Sequence, residues 1–555
     1  MIPKRAVAWL HEPFDEETRR EVKRLLQTGG ADDAFFKDLS FGTGGMRGIM
    51  GVGTNRINRY TIAAATQGLA NYLKKQGSVF IGYDVRHNSR LFAEITARVL
   101  AANGIRALIT KDICQTPLVS YGCRHYGCNA AVMITASHNP PQYNGYKVYW
   151  ADGGQIVPPH DEGIIAEVKR QTSYADVPLA PLDSKLISWV GNELDSAYLH
   201  ELKKLQLYPA KPLHVVYTPL HGTGIRIIPQ ALKSWGYENV HLVEKQQTPD
   251  ANFSHAQSPN PEEEKALVLG TEQLVKEHGD LLIATDPDAD RMGVVVMHQG
   301  KPVRLTGNQI ACVCLQHIAE TLSERKQWPK NTACIKTIVT TELFRKIVER
   351  FGGTCVDVLT GFKYIGEQMT KWEKTKEHTY VFGAEESYGY LFGTMVRDKD
   401  AVSSACLVAE VAAQAKSENL TLVDKLHALY REYGVHREML SQIAFSDSAA
   451  GMKEMQELMQ KLRNSPPKTI GGKKVSAVED YLAGTKLKLP KSDVLRFWLS
   501  DQSKLVIRPS GTEPKIKIYA EIVAQSDVVT ADKQLGQLVE AFRAEVISTK
   551  SCERP

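Results

Sequence analysis

The sequence predicts an α/β protein: three similar α/β domains on mixed, largely parallel sheets, followed by a smaller C-terminal α+β domain. Three observations predict it. Apolar runs rich in β-branched residues end repeatedly in Gly, Asp, Ser or Thr, and a helical stretch follows; strand, polar loop, helix is the pattern of parallel α/β layers. The chain has 555 residues, more than one core holds at about 100–200 residues per domain. Gly-Thr or Thr-Gly pairs follow apolar runs at 42–45, 222–224, 360–361 and 511–512, as if similar units each lent one loop to a shared cleft.

Residues 12–38, with Glu, Arg, Lys and Leu at helical spacing, read as an N-terminal helical region. A strand over 79–82 runs into Asp84, with a helix over 91–103. The run 131–134 leads into Thr135 and Ser137; the run 213–217 leads into HGTG at 221–224 and a helix near 226–235. The run 281–284 leads into Asp286, and 334–339 into Thr340 and a helix over 342–351. Sheets of this kind bind ligands beyond the C-terminal ends of their strands. The prolines of LHELKKLQLYPAKP, the hairpin after 293–297 and the change of pattern near 420–435 divide the chain into domains 1–205, 206–305, 306–425 and 426–555. Residues 546–555 read as a loose tail.

Composition excludes several classes. Hydrophobic residues are 43% and charged residues 24%, the balance of a globular protein. A net charge of +5 on 68 basic and 63 acidic residues gives no support to nucleic-acid or membrane binding. The nine cysteines form no CxxC pair, which argues against a zinc ribbon or thioredoxin-type site; their odd number, without a secretory leader, reads as reduced thiols in the cytoplasm. No run of about 18 apolar residues occurs, so no membrane span is expected.

Five segments carry chemistry. In AVMITASHNPPQYNGYKVYW (131–150) a strand empties into a loop stiffened by Pro140 and Pro141, which displays Ser137 and His138. The loop reads equally as a turn held by its own hydrogen bonds. A Ser-His-Asp hydrolase is disfavoured, because neighbours on a strand-like loop point apart and no GxSxG elbow is present. In LLIATDPDADRMGVVVM (281–297), Asp286, Asp288 and Asp290 recur at spacing two, so that in an extended loop three carboxylates converge on one hard cation. An EF-hand is excluded by Arg291 and Met297 at its sixth and twelfth positions. The alternative is a solvated acidic turn, which fits poorly between two apolar strands. In VIRPSGTEPKIKIYAE (506–521), Arg508, Ser510, Gly511 and Thr512 form either a phosphate cradle or a plain hairpin turn. In VFGAEESYGYLFG (381–393), Glu385 and Ser387 share one side and either grip sugar hydroxyls or form a charged turn. FGTGGMRGIMG (41–51) offers a flexible backbone and Arg47 to an anion without matching a Walker A loop or GxGxxG.

Together these segments resemble the α-D-phosphohexomutase superfamily, the phosphoglucomutases and phosphomannomutases, over residues 38–520: TASHNP, DPDADR, GAEES and RPSGTEP stand in the family order. The resemblance implies four domains around a central cleft. It makes Ser137 the phosphoserine that shuttles the phosphoryl group, and Asp286, Asp288 and Asp290, with Ser137, the Mg²⁺ ligands. Lys147 resembles the general acid or base, and Arg47, His138 and Arg291 join the catalytic set. Lys363, Glu385 and Ser387 resemble the sugar contacts, and Arg508, Ser510, Gly511 and Thr512 the grip on the phosphate that stays in place. Gly389 departs from relatives that carry His there, and Lys363 stands where others place His or Lys, so both differences concern the sugar.

The implied reaction interconverts a sugar 1-phosphate and its terminal-hydroxyl phosphate through a sugar 1,6-bisphosphate, itself the activator. Glucose phosphate leads, then ribose or deoxyribose phosphate (a phosphopentomutase), then mannose phosphate. Rivals of other classes are a metal-dependent sugar phosphatase, a non-catalytic sugar-phosphate-binding protein and a phosphotransferase that uses another donor. A cytoplasmic monomer or homodimer acting on sugar phosphates, with no nucleic-acid or membrane partner, completes the expectation.

Overall fold

The computed structural model describes residues 4–39, 45–171, 173–446, 448–485, 489–510 and 514–551. They form two compact units: Met1–Ala333 with Gly361–Val423, and Cys334–Thr360 with Asp424–Pro555. Among the described residues no helix is long and apolar enough to cross a membrane, and all eight described cysteines are buried and free.

The first unit opens with helices Lys4–Ala8, Glu16–Thr28 and Ala31–Phe35. They bury Trp9, Phe14, Val22 and Phe35 in a small core of their own. A six-stranded sheet follows, built from β1 (Met46–Ile49), β2 (Ser78–Tyr83), β3 (Arg106–Thr110), β4 (Ala130–Ile134), β5 (Tyr143–Trp150) and β6 (Ile187–Val190) in the order β1-β5-β4-β2-β3-β6. Strands β4, β2, β3 and β6 run parallel, while β5 and β1 are antiparallel additions at one edge. Strand β4 is buried at every position, as a run of small and branched apolar residues covered on both faces must be.

The second sheet contains β7 (Val215–Thr218), β8 (Val240–Leu242), β9 (Leu281–Thr285), β10 (Met292–His298) and β11 (Lys301–Leu305) in the order β11-β10-β9-β7-β8. Strand β7 is parallel to β8 and β9, and β9 turns back antiparallel into β10. The mixed, largely parallel expectation holds for the first sheet; in the second, parallel and antiparallel pairings are balanced. Helix Gly307–Glu324 starts at a capping box between Thr306 and Gln309. The helix over 91–103 expected from sequence is Ser89–Ala102, and those near 226–235 and 342–351 are Ile228–Trp235 and Glu342–Arg350.

Two further strands of the C-terminal half of the first unit follow β12 (Thr332–Thr337) and β13 (Thr354–Val358) in the chain. They are β14 (Thr379–Glu385) and β15 (Gly389–Phe392), an antiparallel hairpin. The second unit has an antiparallel sheet of β16 (Val435–Ala444), β17 (Thr469–Ile470), β18 (Lys473–Asp480), β19 (Leu495–Leu499), β20 (Lys504–Pro509) and β21 (Lys515–Ala524), ordered β16-β21-β20-β19-β18-β17. Its final helix runs Val528–Ser551, through most of the segment that reads as a tail; no Gly or Pro interrupts residues 537–551.

Buried charges hold the second unit together. Glu521 on β21 accepts from the Glu342 N–H at 2.8 Å, the Thr341 hydroxyl at 2.9 Å and His436 Nδ1 at 2.8 Å, and pairs with Lys504 at 3.1 Å. It therefore caps the helix Glu342–Arg350 from another strand. Nearby, Asp357 joins Lys336 at 3.1 Å to Arg496 at 2.9 Å. Burial opposes the charge on Glu521, but Lys504 and His436 outweigh it and hold the carboxyl down at about 2, against an ordinary 4.5. A depressed folded-state value means that this contribution to stability is complete above pH 4.5 and is lost as pH falls toward about 2. Glu521→Ala is expected to destabilise this unit by about 3 kcal/mol at neutral pH, because buried His436 and the Glu342 N–H lose their acceptor and Lys504 keeps only Glu342. Urea unfolding followed against pH checks this: the wild-type advantage shrinks through the same acid window.

Candidate active site

The site in the first unit lies where β4 and β9 end. Three residues past β4, Ser137 is buried and adopts a left-handed backbone (φ 52°). This conformation is uncommon for a residue with a side chain and persists where the surroundings over-determine it. Those surroundings are identifiable. The Ser137 N–H donates to Thr135 Oγ1 at 2.8 Å. The guanidinium of Arg86 donates to the carbonyls of Ser137, Asn139, Pro140 and Tyr143. Arg86 is itself buried against Asp84, 3.1 Å away at the end of β2. One arginine thus pins four carbonyls of the serine loop.

The left-handed turn also corrects one expectation. Ser137 and His138 do not point apart; Ser137 Oγ lies 3.2 Å from His138 Nδ1. The alternation that separates neighbours belongs to extended backbone, and Ser137 is not extended. The wiring is still not that of a hydrolase triad, because Asp286 bonds the serine directly: Ser137 Oγ–H donates to Asp286 Oδ2 at 2.8 Å. Burial, then the charges of Arg291 and Arg47, hold the His138 imidazole well below its ordinary value.

The aspartate loop follows β9 immediately. Asp286, Asp288 and Asp290 are all buried, and one oxygen from each falls within 4.8 Å of the others. Convergence comes from a turn rather than from an extended loop: Ala289 is left-handed (φ 52°) and its N–H donates to the Asp286 carbonyl at 2.9 Å. Asp286 Oδ1 then accepts the N–H groups of Asp290 and Arg291, each at 3.0 Å. The HGTG segment braces this turn from behind, with the Thr223 N–H and hydroxyl donating to the Pro287 carbonyl at 2.8 and 3.0 Å. A Cβ on Gly222 would stand 2.4 Å from Pro287 Cα, so only glycine fits.

Three like charges in one buried turn require partners. Lys147, which pairs with Met133 across β5 and β4, reaches Asp288 at 2.8 Å and Asp290 at 3.1 Å. Lys399 reaches Asp290 at 3.3 Å and Asp398 at 3.1 Å. Thr116 donates to Asp288 at 2.8 Å. Burial works against the Lys147 charge, but Asp288 and Asp290 outweigh it and keep the amine an ammonium. Asp286 is pushed the other way: burial, then its two neighbouring carboxylates, raise it well above the ordinary range. Asp288 Oδ1 and Asp290 Oδ1 remain buried without a hydrogen-bond partner. An all-carboxylate donor set with orphaned oxygens can hold a metal ion, and suits a hard one.

The other expected residues divide. Arg47 comes to the serine loop, donating to Asn139 Oδ1 at 3.2 Å, with its Nε buried and unpartnered. Arg291 pairs with Glu262 at 2.5 Å and lies 3.9 Å from Asp290. Glu385 is buried and receives the Gly361 N–H at 2.8 Å; burial raises its carboxyl against the pull of Lys399 and Arg291. Ser387 is half-buried in the turn between β14 and β15. Lys363 faces Asp161 at 3.7 Å. Arg508 is the penultimate residue of β20 and Ser510 follows the strand, both in the second unit, while Gly511 and Thr512 lie outside the described residues. Of the four Gly-Thr pairs, those at 222–224 and 360–361 each support a site loop.

Arg86, Thr116 and Lys399 were not legible as site residues. The Asp84-x-Arg86 pair at a strand end is a faint signal, and RDKD at 397–400 another. Lys399 explains Gly389: a Cβ there would stand 2.3 Å from Lys399 Cδ and 2.8 Å from its Cγ. The lysine side chain fills the space that a larger residue at 389 would use. Asp400, capping helix Ala401–Ser417, fixes the backbone beside it. Gly389→Ala is therefore expected to displace Lys399 from Asp290 and to lower kcat/KM by about tenfold to a hundredfold. The thermal midpoint should stay close to wild type, and steady-state kinetics beside a melting curve check both.

Comparison with known proteins gives a single direction. The chain matches the phosphoglucomutase/phosphomannomutase family in four consecutive segments: α/β/α domain I over residues 38–175, domain II over 196–300, domain III over 306–433 and the C-terminal domain over 444–534. It is 38% identical to a phosphoglucomutase of Staphylococcus haemolyticus over 513 residues, 88% of this chain and 91% of that enzyme. It is 37% identical to a phosphoglucomutase of Staphylococcus aureus (strain MSSA476) over 508 residues, 88% and 90% of the two chains. In fold it is similar to parafusin, a Paramecium phosphoglucomutase in open form, with a TM-score of 0.71 at 18% identity over 92% of this chain and 95% of that one. A phosphoglucomutase/phosphomannomutase family protein of Burkholderia thailandensis gives 0.70 at 17% over 94% and 99%.

Proposed function

The chain belongs to the phosphoglucomutase/phosphomannomutase family and is an intramolecular phosphotransferase of the phosphohexomutase kind; from that premise we propose that it interconverts glucose 1-phosphate and glucose 6-phosphate through a phosphorylated Ser137. The observation that supports this reading is the 2.8 Å contact of the Ser137 hydroxyl with Asp286. One nucleophile and one three-carboxylate turn, from loops 149 residues apart, face each other within hydrogen-bond reach. The likeness to two phosphoglucomutases at 37–38% identity supports glucose over ribose or mannose.

Asp286, Asp288 and Asp290 would hold Mg²⁺, which when bound supplies positive charge against the oxygens of the transferring phosphoryl group. The rest falls to side chains. Phosphoryl transfer has a loose transition state, so positioning and charge neutralisation carry most of the acceleration. The P–Oγ bond of phospho-Ser137 breaks as a bond forms from phosphorus to the free hydroxyl of the sugar phosphate. Lys147, an ammonium at rest, gives its proton to the departing Oγ and takes the proton shed by the sugar hydroxyl, ending as it began. Arg86 and Thr135 keep the serine oxygen in line throughout. The bisphosphate turns over and returns its other phosphoryl group to Ser137. Arg47 and Arg291, whose charges act on His138, would bind the anionic group, and Glu385, Ser387 and Lys363 the sugar hydroxyls; Arg508, Ser510, Gly511 and Thr512 keep the role the family resemblance gives them, binding a phosphate group.

The test combines protein, Mg²⁺, a trace of glucose 1,6-bisphosphate and glucose 1-phosphate. Glucose 6-phosphate should appear without free phosphate, and faster than the corresponding products from ribose 1-phosphate or mannose 1-phosphate. Ser137→Ala should lose at least about 10⁴-fold in kcat, as removal of a nucleophile does elsewhere. Equal silence on every sugar phosphate, or normal turnover by the alanine variant, overturns the reading.

A further inference from the structure

Among the described residues, phosphoryl transfer leaves one cluster of metal-ligating side chains without a task. His214 directly precedes β7, His241 is the middle residue of β8, and Glu277 caps the C-terminus of helix Glu264–Lys276. The parallel register of β7 and β8 sets Val216 beside His241 and brings the two imidazoles together, with centroids 4.5 Å apart and planes at 61°. Both rings direct a nitrogen at the same carboxylate oxygen. Glu277 Oε2 lies 2.8 Å from His241 Nδ1 and 3.3 Å from His214 Nε2. One donor atom from each of the three residues falls within 4.8 Å of the others.

The surroundings make this a built arrangement. The His214 N–H donates to Asp280 Oδ2 at 2.7 Å, and Lys416 holds that carboxylate at 2.6 Å, which fixes the backbone from which the first ring projects. Glu277 stands at the negative end of its helix dipole, which favours a cation there. His214 and Glu277 are half-buried, while the His241 side chain is 48% exposed, so the open side faces solvent.

The donor set selects the ion. Two imidazole nitrogens and one carboxylate oxygen are poor ligands for Mg²⁺, which takes oxygens in an octahedron, and good ligands for Zn²⁺ and its neighbours. Tetrahedral zinc, with bonds of about 2.0–2.1 Å to nitrogen and oxygen, spaces its ligands at roughly 3.3 Å. The His214 contact already has that length, and the His241 contact opens by about half an ångström to reach it. We propose that His214, His241 and Glu277 bind a Zn²⁺-class cation, with water in the fourth position, at a site separate from the aspartate turn.

The ion takes the lone pairs of His214 Nε2 and His241 Nδ1, and each coordinated ring carries its N–H proton on its other nitrogen. The ion then ties the start of β7, the edge strand β8 and the end of a helix to one point. It lies beside Asp280, at the opposite end of β9 from Asp286; five strand residues separate the two ends by roughly 17 Å. Its effect is therefore on the stability of this sheet, by mass action on the folded state, and not on the reaction.

The full chain, stripped with chelator and kept in excess Mg²⁺ to occupy the aspartates, is titrated with Co²⁺ and read by visible absorption. One equivalent should give the intense d–d bands of four-coordinate cobalt, and Zn²⁺ should bleach them. Saturating Zn²⁺ should raise the melting temperature by several degrees while Mg²⁺-dependent turnover stays unchanged. His241→Ala and Glu277→Gln should lose the bands and the thermal shift and weaken Zn²⁺ by more than the roughly 10–100-fold that an outer-shell loss costs. Turnover of both variants, at the wild-type level, reports that they are folded. Four-coordinate bands that survive in both variants, or the absence of such bands in wild type, overturn the site. So does Zn²⁺ that only displaces Mg²⁺ and stops turnover equally in all three proteins.

Discussion

Three carboxylates closed into one buried turn set the terms for the rest of the first unit. Desolvation alone would drive protons onto them, and two cations supplied from elsewhere in the chain resist this. Lys147 comes from a strand of the first sheet and Lys399 from the segment after the β14–β15 hairpin. The aspartate turn, on the second sheet, therefore needs side chains from at least two other parts of the unit to exist as it does. Charge balance sets where the β5 lysine and the segment around Lys399 must sit, and their backbones follow. The same balance leaves two buried aspartate oxygens without a hydrogen-bond partner, a donor set that suits a hard cation.

Opposite the aspartates, rigidity takes the place of charge. The serine is held in an uncommon backbone conformation by a buried arginine that spends its donors on main-chain carbonyls. Such a clamp fixes Oγ before any substrate arrives, so little reorganisation remains for the reaction itself. Two glycines express the same economy of space. Gly222 lets one loop lie directly on Pro287, and Gly389 leaves room for Lys399 to cross the hairpin turn. Each would read as a generic turn residue, yet each is required by a neighbour outside its own turn.

The second unit solves a related problem with different parts. Its segment Cys334–Thr360 is joined to the C-terminal sheet through Glu521, Lys504, Asp357 and Arg496, all buried. Ion pairs of this kind add less to stability than apolar packing would, but removing a single partner is costly, which makes the network specific.

The sequence by itself determined the local parts. The strands before Ser137 and Asp286, the three aspartates and the loop glycines are legible because a short apolar run ending in polar residues has one main structural meaning. The family order of four motifs followed from letters alone. The tertiary structure decided what no local window contains: that Ser137 is left-handed and so meets His138, that a turn and not an extended loop gathers the aspartates, and that Arg86, Thr116 and Lys399 belong to the site. It also joined His214, His241 and Glu277, separated by 63 residues from first to last. The physical reason is common to all of these. Burial makes an unpaired charge or donor expensive, so such groups find partners by proximity in space, and proximity across sheets is set by packing that sequence spacing does not encode.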